Sequence, residues 1–253
     1  MRIPFQRSAV GIVAALALAV TACGSDNGGG NGGTSSKDPA LQLASSVEAL
    51  NEESFKVEVT MGDLMTATGA VDGPGRAGRM AMSLGMEGQS LDMEVIFTET
   101  DMWMNMGDLG TLLGAEKPWM HLDLSQLGGD GFMGLKPGET DFAGTAKMMK
   151  AVTNVERVDD TTIRGEIDVT KVEDTVVDEE MLAGQTTLSF TATLDDQGRL
   201  TQLEVDLPET QGVSVGTLVV RYYDFGQPVD VSPPPADEVS EAPAQLYQMF
   251  PNS

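Results

Sequence analysis

The apolar residues of this chain follow two different spacings. Within residues 39–50 they recur every three or four positions, which predicts an amphipathic helix. Asp38 precedes Pro39 at its start, an arrangement typical of a helix N-terminus because the carboxylate can accept from free amides and proline fits the first turn. From Phe55 onward the period becomes two, which indicates strands with one buried and one exposed face.

This period of two returns many times, in segments joined by short turns rich in Gly and Asp. Links so short predict antiparallel neighbours, because a parallel crossover needs about a dozen residues or more. The turn at 195–198 is a strong hairpin signal. The predicted strands are 55–61, 80–86, 91–97, 102–106, 119–123, 155–158, 161–169, 186–194, 200–207 and 218–223.

Few helices interrupt the strands. Thr140 or Asp141 could cap a second helix with Phe142, Ala146, Met149 and Val152 on its apolar face, and residues 172–182 suggest a short acidic third helix. No strand-helix unit repeats, which argues against a doubly wound fold. The sequence therefore predicts an α+β domain with one large antiparallel sheet and two or three helices.

The N-terminus has the pattern of an export signal. Basic residues at Arg2 and Arg7 precede an uncharged stretch, 9–22, which is shorter than the roughly twenty residues that span a bilayer. The run 20–23 (VTAC) resembles a bacterial lipobox, in which the cysteine takes a diacylglyceryl group and becomes the new N-terminus. We therefore predict lipidation at Cys23; the alternative is a free thiol after an ordinary cleaved signal.

Four segments follow from this pattern. Residues 1–22 are the signal peptide, and 23–38 comprise the lipidated cysteine and a flexible tether with six glycines between 24 and 38. A coil of that kind reaches on the order of 20 Å. A single domain, 39–232, follows, and 233–253 form a proline-rich tail or a short docked helix. The expected location is the extracytoplasmic face of the cell membrane, with the membrane contacted through the lipid anchor.

Composition excludes several classes of partner and site. The chain carries 39 acidic and 15 basic residues, and loss of Arg2 and Arg7 with the signal brings the formal charge from −24 to −26. Nucleic acid is therefore not expected as a partner, because its binding depends on clustered Lys and Arg. A single Cys and a single His allow no internal disulfide and no poly-histidine zinc site. We expect no metal and no cofactor, and a protein partner is not identified.

The distribution of methionine suggests where a ligand could bind. Of 16 methionines, eight lie between Met80 and Met120, mostly at alternate positions. Such a face is apolar and deformable, which suits acyl chains, although methionine could equally replace leucine in an ordinary core. The candidate cavity residues are Met80, Met82, Leu84, Met93, Val95, Phe97, Met102, Met104 and Trp119.

No catalytic constellation accompanies this face. His121 shares a strand face with Trp119, opposite Met120 and Leu122, but no G-x-S-x-G motif supplies a nucleophile. The densest carboxylate run, 173–180, is interpreted as a solvated acidic face. We expect the protein not to be an enzyme.

Several features together resemble the actinobacterial LppX/LprG family of lipoproteins. They are the lipobox ending at Cys23, the opening helix followed by 54–59, the strand entry 117–119 (KPW) and the closing run 223–229 (YDFGQPV). The resemblance implies a LolA-like fold, in which a strongly bent antiparallel sheet, a half-barrel, is closed by helices around a hydrophobic cavity.

Two functions from different classes are consistent with the sequence. The first is a membrane-anchored lipoprotein that binds a lipid or another amphipathic ligand in an apolar cavity, and that could transport it between membrane and wall. The second is an acidic cell-surface interaction or sensor module without a ligand cavity. An apolar cavity of roughly several hundred Å³ with a mouth would favour the first, and a solid core would disfavour it.

Overall fold

A computed structural model describes residues 38–86, 89–127, 138–141, 143–172, 182, 184–210, 213–214 and 216–248, which belong to one compact unit, Ser36–Ser253. The predicted signal peptide, Cys23 and nearly all of the predicted tether lie outside the described residues. So does nearly all of the predicted acidic helix 172–182.

Fourteen strands are described. They are β1 (Ser54–Met61), β2 (Met65–Asp72), β3 (Ala77–Met86), β4 (Gln89–Phe97), β5 (Asp101–Asn105), β6 (Trp119–Asp123), β7 (Val152–Arg157), β8 (Thr162–Asp168), β9 (Thr187–Leu194), β10 (Leu200–Asp206), β11 (Glu209–Thr210), β12 (Val213–Ser214), β13 (Thr217–Tyr223) and β14 (Val239–Glu241).

Twelve of these strands form one sheet in the order β14-β6-β5-β4-β3-β2-β1-β13-β10-β9-β8-β7, and β11 and β12 pair separately. All neighbours in the large sheet are antiparallel except β14 and β6, which are parallel. The prediction of an α+β protein built on one large antiparallel sheet is confirmed at this level, although the fold is mostly sheet.

The helices are short and, within the described residues, number four: α1 (Pro39–Glu48), α2 (Asp108–Leu112), α3 (Thr145–Lys150) and α4 (Ala244–Gln248). Asp38 caps α1 as predicted, since its Oδ1 accepts from the amide of Ala40 at 2.9 Å. The expectation of two or three helices missed α2, which follows a glycine with a positive φ, Gly107. The fourth helix, α4, corresponds to the short helix given as one alternative for residues 233–253.

One face of the sheet carries the core. The register aligns Val57, Gly69, Met80, Val95 and Met104 across five adjacent strands, so these residues face the same side. The first of two buried clusters lies beneath α1 and α3, on β1–β3, β8–β10 and β13. The second lies on β4–β6 and includes Ala242 and Leu246 from the C-terminal segment.

Glycines in the strands make room for large neighbours on this inner face. A Cβ at Gly69 would lie 2.7 Å from Cγ of Met80, and one at Gly78 would lie 2.4 Å from Cε1 of Phe97. Interiors as dense as those of proteins do not accept such overlaps without a shift. The absent side chains at Gly69 and Gly78 therefore allow Met80 and Phe97 to lie flat across the neighbouring strand.

Candidate functional site

A small internal cavity lies between α1, the segment that leads into α3, and strands β1–β3. Its volume is about 40 Å³. The walls are apolar, whereas one end carries polar side chains. The lining residues are Val47, Leu50, Asn51, Phe55, Val57, Val59, Val71, Met80, Thr140, Asp141, Ala143, Ala146 and Tyr222.

Asp141 is the charged residue at the polar end. Its Oδ2 accepts from the amides of Ala146 at 2.8 Å and Lys147 at 3.3 Å, so it binds the first turn of α3 and fulfils one of the two predicted capping assignments. Burial raises the pKa of this carboxyl, and the hydrogen bonds from the backbone amides only partly oppose the rise. Buried carboxyls with raised pKa values are enriched at functional sites.

Tyr222 closes the cavity from the sheet. Its hydroxyl donates to Oγ1 of the buried Thr145 at 2.7 Å, and its ring makes an edge contact with Phe55, with 5.5 Å between ring centroids. Burial raises the pKa of the Tyr222 phenol, and the nearby Asp141 carboxylate adds to the rise. The phenol is therefore neutral at physiological pH and acts as a hydrogen-bond donor.

The size of the cavity limits what it accepts in this conformation. A volume of about 40 Å³ holds at most a few water molecules and no acyl chain, because each water needs at least about 10–15 Å³ of such space. This volume falls short of the several hundred Å³ that would favour ligand binding, so a larger ligand needs α1 or α3 to move away from the sheet.

The structure separates the nine predicted cavity residues, all of which it describes. Met80 alone among them lines this cavity. Met82 belongs, like Met80, to the first buried cluster, and half-buried Met93 packs against both clusters. Half-buried Leu84 on β3 pairs with Met65 on β2. Four others are tightly packed in the second cluster, at 0–3% exposure: Val95, Phe97, Met102 and Met104.

Trp119 lies apart from the methionines. Met120 pairs with Met104, so the alternation along β6 directs Trp119 and His121 to the opposite face of the sheet. The prediction that Trp119 and His121 share a face opposite Met120 is confirmed. Trp119 therefore does not line the cavity on the inner face.

A second concavity on the outer face of the sheet suits an apolar ligand less well. It is an open groove of about 360 Å³ whose floor is formed by small residues, Thr68, Ala70 and Ala81. Charges of both signs line it: Arg79, Glu94 and Lys56, which pairs with Asp224 at 2.8 Å. An acyl chain gains little from such walls.

Of the thirteen lining residues, sequence reasoning assigned only Met80 to a cavity, and it missed both titratable ones, Asp141 and Tyr222. Asp141 was recognised only as a possible helix cap, and nothing in its surroundings along the chain indicated that it lies beside a cavity. Tyr222 fits the alternation of β13, but its contact with Thr145 joins residues 77 positions apart. The helix that covers the sheet brings these groups together, and strand periodicity carries no information about that packing.

Two further features bear on function. Among the helices that the structure describes, none is long and apolar enough to cross a membrane. In the same residues, no group of three or more His, Cys, Asp and Glu side chains is suited to hold a metal ion.

Comparison with known proteins gives little guidance. No protein-family model matches the chain, and no curated protein matches it. A solved structure of a porin-like protein from Bacteroides uniformis aligns with 68% of this chain and 95% of its own, at 11% identity and a TM-score of 0.21. A TM-score this low supports no conclusion about fold or function.

Proposed function

We propose that the protein is a lipid-anchored extracytoplasmic lipoprotein of the LppX/LprG type that binds a lipid or another amphipathic ligand between its helices and the inner face of its sheet. The proposal includes a LolA-like bending of the sheet around the ligand. The anchor is the diacylated Cys23, which holds the domain at the outer face of the membrane through the glycine-rich tether.

The main support for this proposal is that the cavity has apolar walls and a polar end. Aliphatic and aromatic side chains of β1–β3 and α1 form the walls, and Asn51, Thr140 and Asp141 form one end. A ligand with an acyl chain and a hydrogen-bonding headgroup matches this arrangement, because chains need apolar area whereas headgroups need partners for their polar atoms. Where Asp141 is protonated, it can also donate to a headgroup oxygen.

Opening of the cavity is part of the proposal. The helix α3 is six residues long and begins after Gly144, whose φ is +66°, in the left-handed region that glycine adopts at low cost. Met80 has a flexible side chain that can change rotamer to enlarge the space. Movement of α3 with Met80 would extend the cavity along the inner face towards Met82 and Met93.

A pair of substitutions on α3 tests the site. Ala146 lines the cavity, and leucine at this position would fill it, whereas Lys150 is exposed on the same helix. We expect Ala146→Leu to weaken binding of a fluorescent long-chain fatty acid to the full-length protein at least tenfold, and Lys150→Leu to leave it unchanged. Circular dichroism of both variants checks that the fold is retained.

The outcomes separate the two functions. Binding by the native protein that Ala146→Leu abolishes supports the cavity. Absence of saturable binding by the native protein, or equal binding by all three proteins, would contradict it and would favour the acidic interaction module.

A further inference from the structure

The C-terminal segment Val239–Gln248, which includes β14 and α4, covers the second buried cluster. β14 adds to the edge of the sheet beside β6, and the amide of Ala242 donates to the carbonyl of His121 at 2.8 Å. Ala242 and Leu246, at 8% and 6% exposure, then pack into the cluster with the methionines of β5 and β6. The hydroxyl of Tyr247 accepts from the amide of Asp123 at 3.0 Å.

His121 connects this segment to the sheet from the outer face. Its Nδ1 lies 2.9 Å from Oε2 of Glu241 on β14, and its Nε2 lies 2.7 Å from Oδ1 of Asp101 on β5. Its ring also packs on Trp103, with 5.4 Å between centroids. Ionised carboxylates only accept hydrogen bonds, so both ring nitrogens donate only when the imidazole is protonated.

The charges around His121 favour this protonated form. The titratable groups that face it are Asp101 from β5, Asp123 from β6 and Glu241 from β14, and Tyr247 from α4 lies beside these acids. Partial burial opposes the charge, but the hydrogen bonds to Asp101 and Glu241 outweigh it and raise the pKa of His121. The Asp101 carboxyl, held by Thr100 and His121, has a lowered pKa.

We propose that Val239–Gln248 is a strap that closes the methionine-rich face of β4–β6, and that protonated His121 is the latch that holds it through Glu241. When the imidazole loses its proton, one of its two carboxylate bonds is lost. Asp101 is the less exposed partner, with 36% of its side chain exposed against 79% for Glu241, so the bond to the strap is the one released.

The release has a defined direction with pH. Unfolded histidine titrates near pH 6.5, and the folded value is higher, so the latch is complete below about pH 6.5 and is lost as the pH rises through the folded pKa. Because Glu241 is exposed and screened by salt, the effect is modest, roughly a twofold to fivefold change in strap opening at low ionic strength.

An open strap would uncover Met102, Met104 and Met120, whose flexible thioether chains can adapt to an acyl chain. This consequence rests on the proposed function, whereas the latch itself does not. The strap is therefore tested in the absence of any lipid, so that failure of the latch and failure of lipid binding remain distinguishable.

The ionisation of the latch can be measured directly, because the chain contains one histidine. We expect the ring resonances of His121 to titrate above pH 6.5 in the folded full-length protein. We also expect Glu241→Gln to lower that midpoint, whereas Glu238→Gln, which changes an exposed carboxylate immediately before the segment, should leave it unchanged. A midpoint at or below 6.5 in the native protein would overturn the proposal.

Opening is measured by hydrogen exchange at the Ala242 amide, which bonds to His121, with the amide of Val220 in the central strand β13 as reference. After correction for intrinsic rates, we expect the protection of Ala242 relative to Val220 to fall roughly twofold to fivefold as the pH rises through the His121 midpoint. Glu241→Gln should remove this step, and Glu238→Gln should retain it. Relative protection that does not change with pH, or an equal step in Glu241→Gln, would contradict the strap.

Discussion

Asp141 lowers the stability of the fold when it is ionised, yet it supplies the charged group of the proposed ligand site. It is half-buried, desolvation raises its pKa, and its carboxylate lies beside an apolar cavity. A carboxyl with a raised pKa in the folded state binds its proton more tightly there than in the unfolded chain. Its ionisation therefore lowers the free energy of unfolding as the pH rises from about 3.8 through the folded pKa, and the loss persists at neutral pH.

Two substitutions separate the cap from the charge at this residue. We expect Asp141→Asn to keep an oxygen that accepts from Ala146 and to raise the free energy of unfolding at pH 7, because it removes the desolvated charge. Asp141→Ala loses the cap as well, which costs about 1 kcal/mol relative to Asp141→Asn. Urea unfolding between pH 4 and pH 7 measures both.

The matched control is Asp38→Asn, at the exposed cap of α1, which should change stability by less than about 0.5 kcal/mol. A lower stability of Asp141→Asn than of the native protein at pH 7 would show that the Asp141 charge is compensated and would remove the reason to regard it as a site residue.

At the scale of elements, the methionine-rich strands are the feature that sequence and structure describe differently. The alternation along β3, β4 and β5 correctly predicted that their methionines share one face. The prediction that this face lines a cavity could not distinguish an open pocket from a closed core, because both need the same apolar alternation. Met102 and Met104 are at most 1% exposed, so on β5 the methionines occupy positions that leucine fills in other cores.

Replacement by leucine tests how specific this packing is. We expect Met102→Leu and Met120→Leu each to lower the free energy of unfolding by less than about 1.5 kcal/mol, because the volume is conserved. Thermal or urea unfolding measures this. Met120→Ala, a truncation at the same position, should cost about 2–5 kcal/mol. A leucine variant as destabilised as the alanine variant would indicate that the thioether itself is needed.

Four of the described strands, β2, β11, β12 and β14, escaped sequence analysis, and for β2 and β14 the reason is identifiable. β2 consists mostly of small and polar residues (MTATGAVD). Its inner face carries Ala67 and Gly69, and a larger side chain at Gly69 would overlap Met80. The strand therefore lacks the regular alternation of large apolar side chains by which strands are recognised. β14 is three residues long, and it pairs with a strand more than 100 positions earlier. Neither hydrophobic periodicity nor turn residues can predict that two such distant segments pair.

The C-terminal region shows the same limit. The sequence predicts a proline-rich tail or a short docked helix for residues 233–253, and the structure places Leu246 and Tyr247 in α4 against the second cluster. Their partners lie in β4–β6 and in the turn after β6, which no short-range pattern connects to the tail.

At the scale of the whole molecule, charge and anchoring act in opposite directions. The proposed mature chain, of formal charge −26, would be repelled by anionic membrane surfaces and wall polymers at long range, whereas two acyl chains on Cys23 would hold it there. The proposed arrangement is a domain that stays close to the membrane without lying on it.

The proposed anchor is tested by Cys23→Ser in a bacterial host that lipidates exported proteins. We expect the native protein to incorporate labelled palmitate and to sediment with membranes. The variant should take up no label, because serine accepts no thioether-linked lipid. Ser25→Ala, two positions away, should behave as the native protein does. A Cys23→Ser protein that still takes up label would disprove the lipobox assignment.

The central claim is that this protein carries a lipid in its folded domain in addition to the lipid attached at its N-terminus. Native mass spectrometry of the full-length protein, extracted gently from the membrane, measures this most directly. If the proposed site binds lipid, we expect a non-covalent adduct of lipid mass in the native and Lys150→Leu proteins and much less of it in Ala146→Leu. A native protein that carries only its covalent anchor, and that takes up no lipid when incubated with membrane extract, would contradict it.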